Sequence, residues 1–200
     1  MRFHSTVRGF SIFLLVLGIS ALVWAAEPTD RIKQTTDKIL SIVANPQLKD
    51  PSKAPERRRL IRSAVDERFD WEEMARRSLA QFWAKRTPEE KKEFIELYSD
   101  LLERTYMSKV EDYSGENVLY ERETIDGDYA VVKVKFVTGK NKDIPVDYRL
   151  RKKGENWLVY DVSIEGVSLV NNYRRQFGSI ITQSSYENLV KKLKEKAEEK

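Results

Sequence analysis

The side chains that could carry covalent or acid–base chemistry are few in this chain of 200 residues. There is no cysteine, and the one histidine is His4, close to the amino terminus. Nucleophile–histidine pairs and the usual zinc ligand sets are therefore excluded from the rest of the chain. The stretch GVSLV at 166–170 resembles half of a nucleophile elbow but lacks its second glycine, and no phosphate-binding glycine motif occurs.

Carboxylates, tyrosines, serines and lysines are what remains for catalysis. Tyr160 and Asp161 are the pair that a small acid–base enzyme on a cone-like fold of sheet and helices could use. Neighbouring residues on a strand point to opposite faces, so only one of them could enter a pocket. We predict no catalytic residue and no metal site, and keep the enzyme as an alternative.

The amino terminus has the pattern of an export signal. Arg2 and Arg8 precede an uncharged apolar run over 10–26, and Val23-Trp24-Ala25 suits a cleavage point. We predict a signal peptide over 1–25, one domain over 26–200 and a periplasmic location; a membrane anchor is the alternative. The formal charge of +4 falls to +2 without the two arginines, which argues against a nucleic-acid partner.

Helical periodicity dominates the first half of the mature chain. Apolar residues from Ile32 to Val43 form one stripe, a proline-rich loop covers 46–55, and a second helix is predicted over 56–69. Asp70 is the predicted N-cap of a third helix, with Glu73 three residues on. Thr87, Pro88 and Glu90 predict a capping box at the start of a fourth.

From Asn117 the apolar period changes to two, which predicts strands. Asp126-Gly127 predicts a hairpin turn, and three further alternating stretches follow. After Gly166 the chain turns sharply into a helix capped by Ser168. Its predicted apolar stripe contains Val167, Val170, Tyr173, Phe177, Ile180 and Ile181. The fold class is α+β: a curved four-stranded antiparallel sheet with several helices over one face. The pattern favours a packed core beneath the helices, with a pocket as the alternative.

Two stretches resemble the MlaC family of periplasmic phospholipid-binding proteins, also called the toluene-tolerance family, which are auxiliary components of ABC transport. They are "RFDWEEMARRSLAQFW…TPEEKKEFIELYSDLLERTY" and "WLVYDVSIEGVSLVNNYRRQFGSII". The resemblance extends from about Thr29 to Lys194. One departure is Ala80, where many members have glycine.

The resemblance implies that the helices and sheet enclose an apolar pocket for phospholipid acyl chains. The bound phospholipid would be cargo, with no cofactor. The partners implied are an MCE-domain ABC transporter complex at the inner membrane and a lipoprotein complex at the outer membrane, whose lipid asymmetry the carrier would help to maintain. A hopanoid or another isoprenoid lipid is an alternative cargo.

The lipid-binding residues expected from this resemblance lie on the apolar face of the sheet, which we call the dry face, and on the helices above it. They are Phe82, Trp83, Leu97, Leu101, Val132, Val134, Phe136, Val146, Tyr148, Val170, Tyr173 and Phe177. Each one taken singly could equally be ordinary core. Arg149, Arg174 and Arg175 are expected to meet a headgroup phosphate or an acidic partner, with plain surface charge as the alternative.

Overall fold

A computed structural model describes residues 27–113, 117–137 and 143–198. The predicted signal peptide over 1–25 and its cleavage point lie outside these residues. Within the described ranges, no helix combines the length and apolar character needed to cross a membrane.

The described residues form six α-helices, three short 3₁₀ segments and one sheet. The helices are α1 (Pro28–Ala44), α2 (Ala54–Asp66), α3 (Trp71–Leu79), α4 (Pro88–Glu111), α5 (Leu169–Gln183) and α6 (Tyr186–Glu198). The 3₁₀ segments are Pro46–Leu48, Pro51–Lys53 and Ala80–Lys85. The predicted proline-rich loop is thus two 3₁₀ turns. α2 begins and ends two to three residues before its predicted limits.

The predicted caps at three helix starts are confirmed. Thr87 Oγ1 accepts from Glu90 N–H at 3.2 Å while the Glu90 carboxylate accepts from Thr87 N–H at 2.8 Å. Asp70 accepts from the Glu73 N–H at 3.1 Å, but the Glu73 side chain binds arginines instead of closing a box. Ser168 Oγ accepts from Asn171 N–H at 3.1 Å.

α3 is shorter than the sequence pattern predicts. It ends at Leu79, and Ala80 has φ +49° and ψ −120°, a conformation that interrupts the helix. Phe82 and Trp83 therefore lie in the 3₁₀ segment Ala80–Lys85.

The sheet is antiparallel throughout, with strands in chain order. The strands are β1 (Asn117–Asp126), β2 (Tyr129–Val137), β3 (Asp143–Lys153), β4 (Asn156–Ile164) and β5 (Val167–Ser168). The hairpin at 126–127 is confirmed, because Asp126 pairs with Tyr129. The register shifts between Tyr120 and Arg122 in β1, and between Arg149 and Leu150 in β3. The fifth strand, of two residues, adds to the four predicted.

The corner after β4 accounts for that fifth strand. Glu165 (φ +49°) and Gly166 (φ +83°) reverse the chain, so that Val167 and Ser168 pair back on Ile164 and Ser163. Val167 is consequently 53% exposed in β5. The prediction that it belongs to the buried stripe of the following helix is wrong, because the helix begins only at Leu169.

One main core joins the dry face of the sheet to α1, α3, α4, α5 and α6. At its centre is a group of aromatic rings with centroids 5.3–6.3 Å apart: Phe94, Tyr98, Tyr173, Phe177 and Tyr186. A smaller cluster of Val43, Ile61 and Met107 packs α1 and α2 against α4. β5 pairs only with the last residues of β4. Further along the same edge of β4, Phe69 forms a parallel bridge with Val159.

Candidate functional site

The dry face of the sheet is buried to different degrees along its length. Val132, Leu150 and Val159 have exposures of 0%, so the middle of the face is sealed by the helices. At the end of the sheet where β1 begins and β4 ends, six dry-face residues are only half-buried, although Val134 and Val146 between them are buried. We call this set the open end: Val118, Tyr120, Phe136, Ile144, Tyr148 and Ile164.

Strand pairing places the open-end residues on one face. Val118 pairs with Phe136, which pairs in turn with Ile144, and cross-strand partners point to the same side. Tyr148 pairs with the buried Val132, which lies on the same face. The open end is therefore a set of partly accessible apolar side chains on one face of neighbouring strands, with the buried Val134 and Val146 between Ile144 and Tyr148.

Tyr148 shows that this surface continues into the protein. Burial raises the pKa of its hydroxyl, and neighbouring Tyr120 raises it further. The residue is nevertheless half-buried, and it packs against the main core. Tyr148 therefore stands at the boundary between the open end and the buried core.

Tyr120 places a hydroxyl group within the same region. Burial raises the pKa of Tyr120, with Thr36 acting in the opposite direction. Its buried Oη has no partner within strict hydrogen-bond geometry among the described residues, although the Thr36 side chain lies close enough to lower its pKa.

The twelve expected lipid-binding residues separate into three groups. Those that are buried in the main core are Val132, Val134, Val146, Val170, Tyr173 and Phe177. Those that are half-buried and pack on the same core are Leu97, Leu101, Phe136 and Tyr148. Only Phe136 and Tyr148 belong to the open end.

The third group, Phe82 and Trp83, lies beyond α3. The Phe82 ring approaches Gly178 of α5, about 4.0 Å from where a Cβ would stand. Trp83 lies 5.4 Å beneath the Lys91 ammonium and lines a surface depression of about 360 Å³ with Pro88 and Ile95. Neither residue belongs to the open end.

The three expected headgroup arginines lie together. Arg149, Arg174 and Arg175 line one surface depression of about 560 Å³, together with Gly166, Val167, Ser168 and Asn171. We call it the basic depression. Arg149 Nη1 is 3.5 Å from Asp161 Oδ2, and Arg174 Nε donates to the Arg77 carbonyl at 2.8 Å.

Asp161, the carboxylate of the candidate acid–base pair, is occupied by structural contacts. It is 3% exposed and accepts from Ser168 Oγ at 2.7 Å and from Val170 N–H at 3.1 Å. Its neighbour Tyr160 lies at the bulge opposite Arg149–Leu150, with its ring 4.1 Å from the Arg77 guanidinium. Asp161 thus fastens the start of α5 to β4.

Metal binding has no candidate site in the described ranges: no three acidic or histidine side chains there are placed to share an ion. Sequence reasoning also did not select four open-end residues, Val118, Tyr120, Ile144 and Ile164. Alternation in β1 signals Val118 and Tyr120, but which end of the face stays open depends on the helices.

Comparisons with known proteins agree with this architecture. The family model described as MlaC protein matches residues 33–195. The intermembrane phospholipid transport system binding protein MlaC of Haemophilus influenzae is 21% identical over 171 residues, covering 83% of this chain and 80% of that protein. A phospholipid-binding protein from Ralstonia solanacearum, solved in complex with a phospholipid, is 26% identical with a TM-score of 0.76, covering 86% of this chain and 97% of that one. The chain belongs to the MlaC family.

Proposed function

We propose that this protein is a soluble periplasmic carrier that holds the acyl chains of a phospholipid at the open end of its sheet. The observation that carries the proposal is the group of half-buried apolar side chains at the open end, which pack against the main core. The phospholipid bound to the Ralstonia solanacearum protein, and the similarity to a phospholipid transport system binding protein of Haemophilus influenzae, support the cargo class.

The energetics suit a carrier without covalent chemistry. Removing a methylene from water is worth about 0.8 kcal/mol, so two acyl chains strongly resist leaving a membrane for free solution. An apolar cleft that takes up the chains removes most of that barrier. No step of this task needs a nucleophile or an acid–base pair, and we propose that the protein is not an enzyme.

The proposed route runs between two membranes. Membership of the MlaC family supports exchange with an inner-membrane MCE-domain ABC transporter complex and with an outer-membrane lipoprotein complex. Lipid moved along this route would help to maintain outer-membrane lipid asymmetry.

The proposal is tested by placing a charge in the open end. Ile144→Asp puts a carboxylate on the apolar surface, where an acyl chain would desolvate it, so bound lipid should fall at least tenfold. Ile125→Asp is the matched control: Ile125 is a dry-face position at the opposite end of the sheet and is 46% exposed. It should retain normal lipid.

The measurement is native mass spectrometry of protein from its own host, followed by lipid extraction. Normal lipid content in folded Ile144→Asp, or a wild type that carries no lipid, contradicts the proposal. Recovery of an isoprenoid lipid in place of a phospholipid contradicts the cargo class while leaving the cleft intact.

A further inference from the structure

Two arginines, Arg31 and Arg68, meet on one face of α1. Arg68 lies between α2 and α3 and is only 7% exposed. Its Nε donates to Thr35 Oγ1 at 3.1 Å, and its Nη1 donates to the Trp157 carbonyl at 3.0 Å. Thr35 Oγ1 in turn donates to the Arg31 carbonyl at 3.1 Å, one turn earlier in α1. The guanidinium group of Arg68 is therefore held against the turn of α1 that carries Arg31.

Arg31 is left without a counter-charge at this place. It is half-buried and shares a helix face with Thr35, four residues on. Its Nε is buried and has no hydrogen-bond partner among the described residues. Within the described ranges, neither Arg31 nor Arg68 forms an ion pair with a carboxylate. Buried donors of this kind are normally satisfied, so the pair has unused capacity to bind an acceptor.

The electrostatics of the pair point in the same direction. Burial lowers the pKa of Arg68, the charge of Arg31 lowers it further, and Glu67 acts in the opposite direction. Glu67 offsets the repulsion only in part, because both of its carboxylate oxygens accept from Lys38 Nζ, at 2.7 and 2.8 Å. An anion between the two guanidinium groups would remove the repulsion and favour their charged forms.

The start of α1 neither supplies that anion nor forms the binding group. Glu123 accepts from Thr29 N–H at 2.7 Å and from Thr29 Oγ1 at 2.6 Å, so it caps the first turn. Asp30 precedes Arg31 but is exposed, and consecutive residues of a helix do not face each other. Recognition would therefore come from the two guanidinium groups, whose planar donors match the oxygens of an oxyanion.

We propose that Arg31 and Arg68 bind one small oxyanion, of the class of inorganic phosphate or sulfate, between their guanidinium groups. The site lies away from the open end, because Trp157 stands near the start of β4 whereas the open end lies where β4 ends. The anion links α1 to the segment between α2 and α3, and through Arg68 to β4. The inference does not depend on lipid binding.

Inorganic phosphate is the probe, and sodium chloride at equal ionic strength is the reference. In thermal unfolding, about 20 mM phosphate should raise the wild-type Tm by about 3 °C over chloride, as expected for a Kd of about 2 mM. Arg31→Gln removes one guanidinium group and should weaken binding about tenfold, which leaves a rise of about 1 °C. Isothermal titration calorimetry measures the same loss of affinity directly.

The matched control is Arg59→Gln, which removes an arginine that is exposed on α2 and should respond to phosphate like wild type. In chloride alone, Arg31→Gln should melt within about 1 °C of wild type or above it, because it removes a charge that repels Arg68. A loss of several degrees in chloride would show that structural contacts already satisfy Arg31, and would overturn the site. So would the absence of a phosphate response in wild type, or equal responses in Arg31→Gln and Arg59→Gln.

A lipid headgroup offers the same phosphate chemistry, and a second comparison separates the two sources. The affinity for inorganic phosphate should be equal in lipid-loaded and delipidated protein, because the site lies at the other end of the sheet from the open end. Displacement of phosphate by a phospholipid, with both lost in Arg31→Gln, would assign the two arginines to the headgroup and overturn the small-oxyanion site.

Discussion

Ala80 has a backbone conformation that an L-residue adopts only with strain. Its φ of +49° with ψ of −120° lies in a region populated mainly by glycine, and strain of this kind costs about 1–3 kcal/mol. The residue is exposed, so its methyl group does not narrow the open end. The departure from the glycine common in the family therefore affects stability, not the volume available to lipid.

Ala80→Gly should stabilise the protein by about 1 kcal/mol. Relief of strain exceeds the roughly 0.5–1 kcal/mol that glycine adds to the entropy of the unfolded chain. Urea unfolding measures the difference. Ala84→Gly, in the same 3₁₀ segment without a positive φ, is the control and should destabilise. Equal losses in both variants would show that Ala80 is not strained.

At the scale of secondary-structure elements, the junction of β4 and α5 depends on one buried carboxylate. Asp161 holds Ser168 Oγ, Val170 N–H and Arg149 together. Asp161→Asn removes the negative charge that strengthens all three contacts. It also introduces an amide NH₂ group, which cannot accept the hydrogen bond from Val170 N–H. It should lower the free energy of unfolding by about 2 kcal/mol.

Lipid bound per folded molecule should be unchanged in Asp161→Asn, since the residue does not face the open end. Ser168→Ala removes one of the three contacts and should cost about half as much. The measurements are thermal unfolding and lipid stoichiometry on the same samples. A folded Asp161→Asn protein that lost a hydrolytic or isomerase activity would support the enzyme alternative instead.

The sequence predicted these elements well where a side chain binds backbone groups a few residues away in the chain. The caps at Asp70, Thr87 and Ser168 and the hairpin at 126–127 are of this kind, and the structure confirms them. β5 and the early end of α3 were missed because each depends on a positive φ, which no local pattern signals in a residue other than glycine. Glu73 was predicted to close a capping box, but arginines from α3 and from distant β3 bind it.

The same limit applies to the site at the scale of the whole molecule. Alternation identified the dry face, including Phe136 and Tyr148, but which end of it stays open depends on where five helices lie. Arg149 is far in sequence from Arg174 and Arg175, and only the Glu165–Gly166 corner brings them to one depression. Their convergence could not be derived from spacing.

Acid stability of the whole protein should depend on the ion pairs between α3 and the sheet. Arg151 of β3 reaches Asp70 at 2.7 Å and Glu73 at 3.4 Å, while Arg76 and Arg77 bind Glu73 from its own helix. Burial opposes ionisation of Glu73, but the hydrogen bonds from Arg76 and Arg77 outweigh it and lower its pKa from 4.5 to about 2.

Because the folded-state pKa of Glu73 is the lower one, the unfolded chain binds the extra proton. The stabilisation is complete above about pH 4.5 and is lost as the pH falls toward 2. Glu73→Gln should therefore cost about 2–3 kcal/mol at pH 7 and little at pH 2. Glu72→Gln, on the exposed side of α3, should leave the pH profile of urea unfolding unchanged. A Glu73→Gln profile parallel to wild type would contradict the assignment.

The two outer strands of the sheet differ from those of proteins that polymerise through their edges. On the β4 side, β5 and the Phe69 bridge occupy backbone groups that another chain could otherwise pair with. On the β1 side, the register shift after Tyr120 and the charged run Glu121–Glu123 interrupt a regular ladder, and Glu123 accepts from Thr29 N–H at 2.7 Å. Both edges are thereby poor templates for strand addition, which should protect the protein from fibrillar self-association even though its sheet presents an apolar opening.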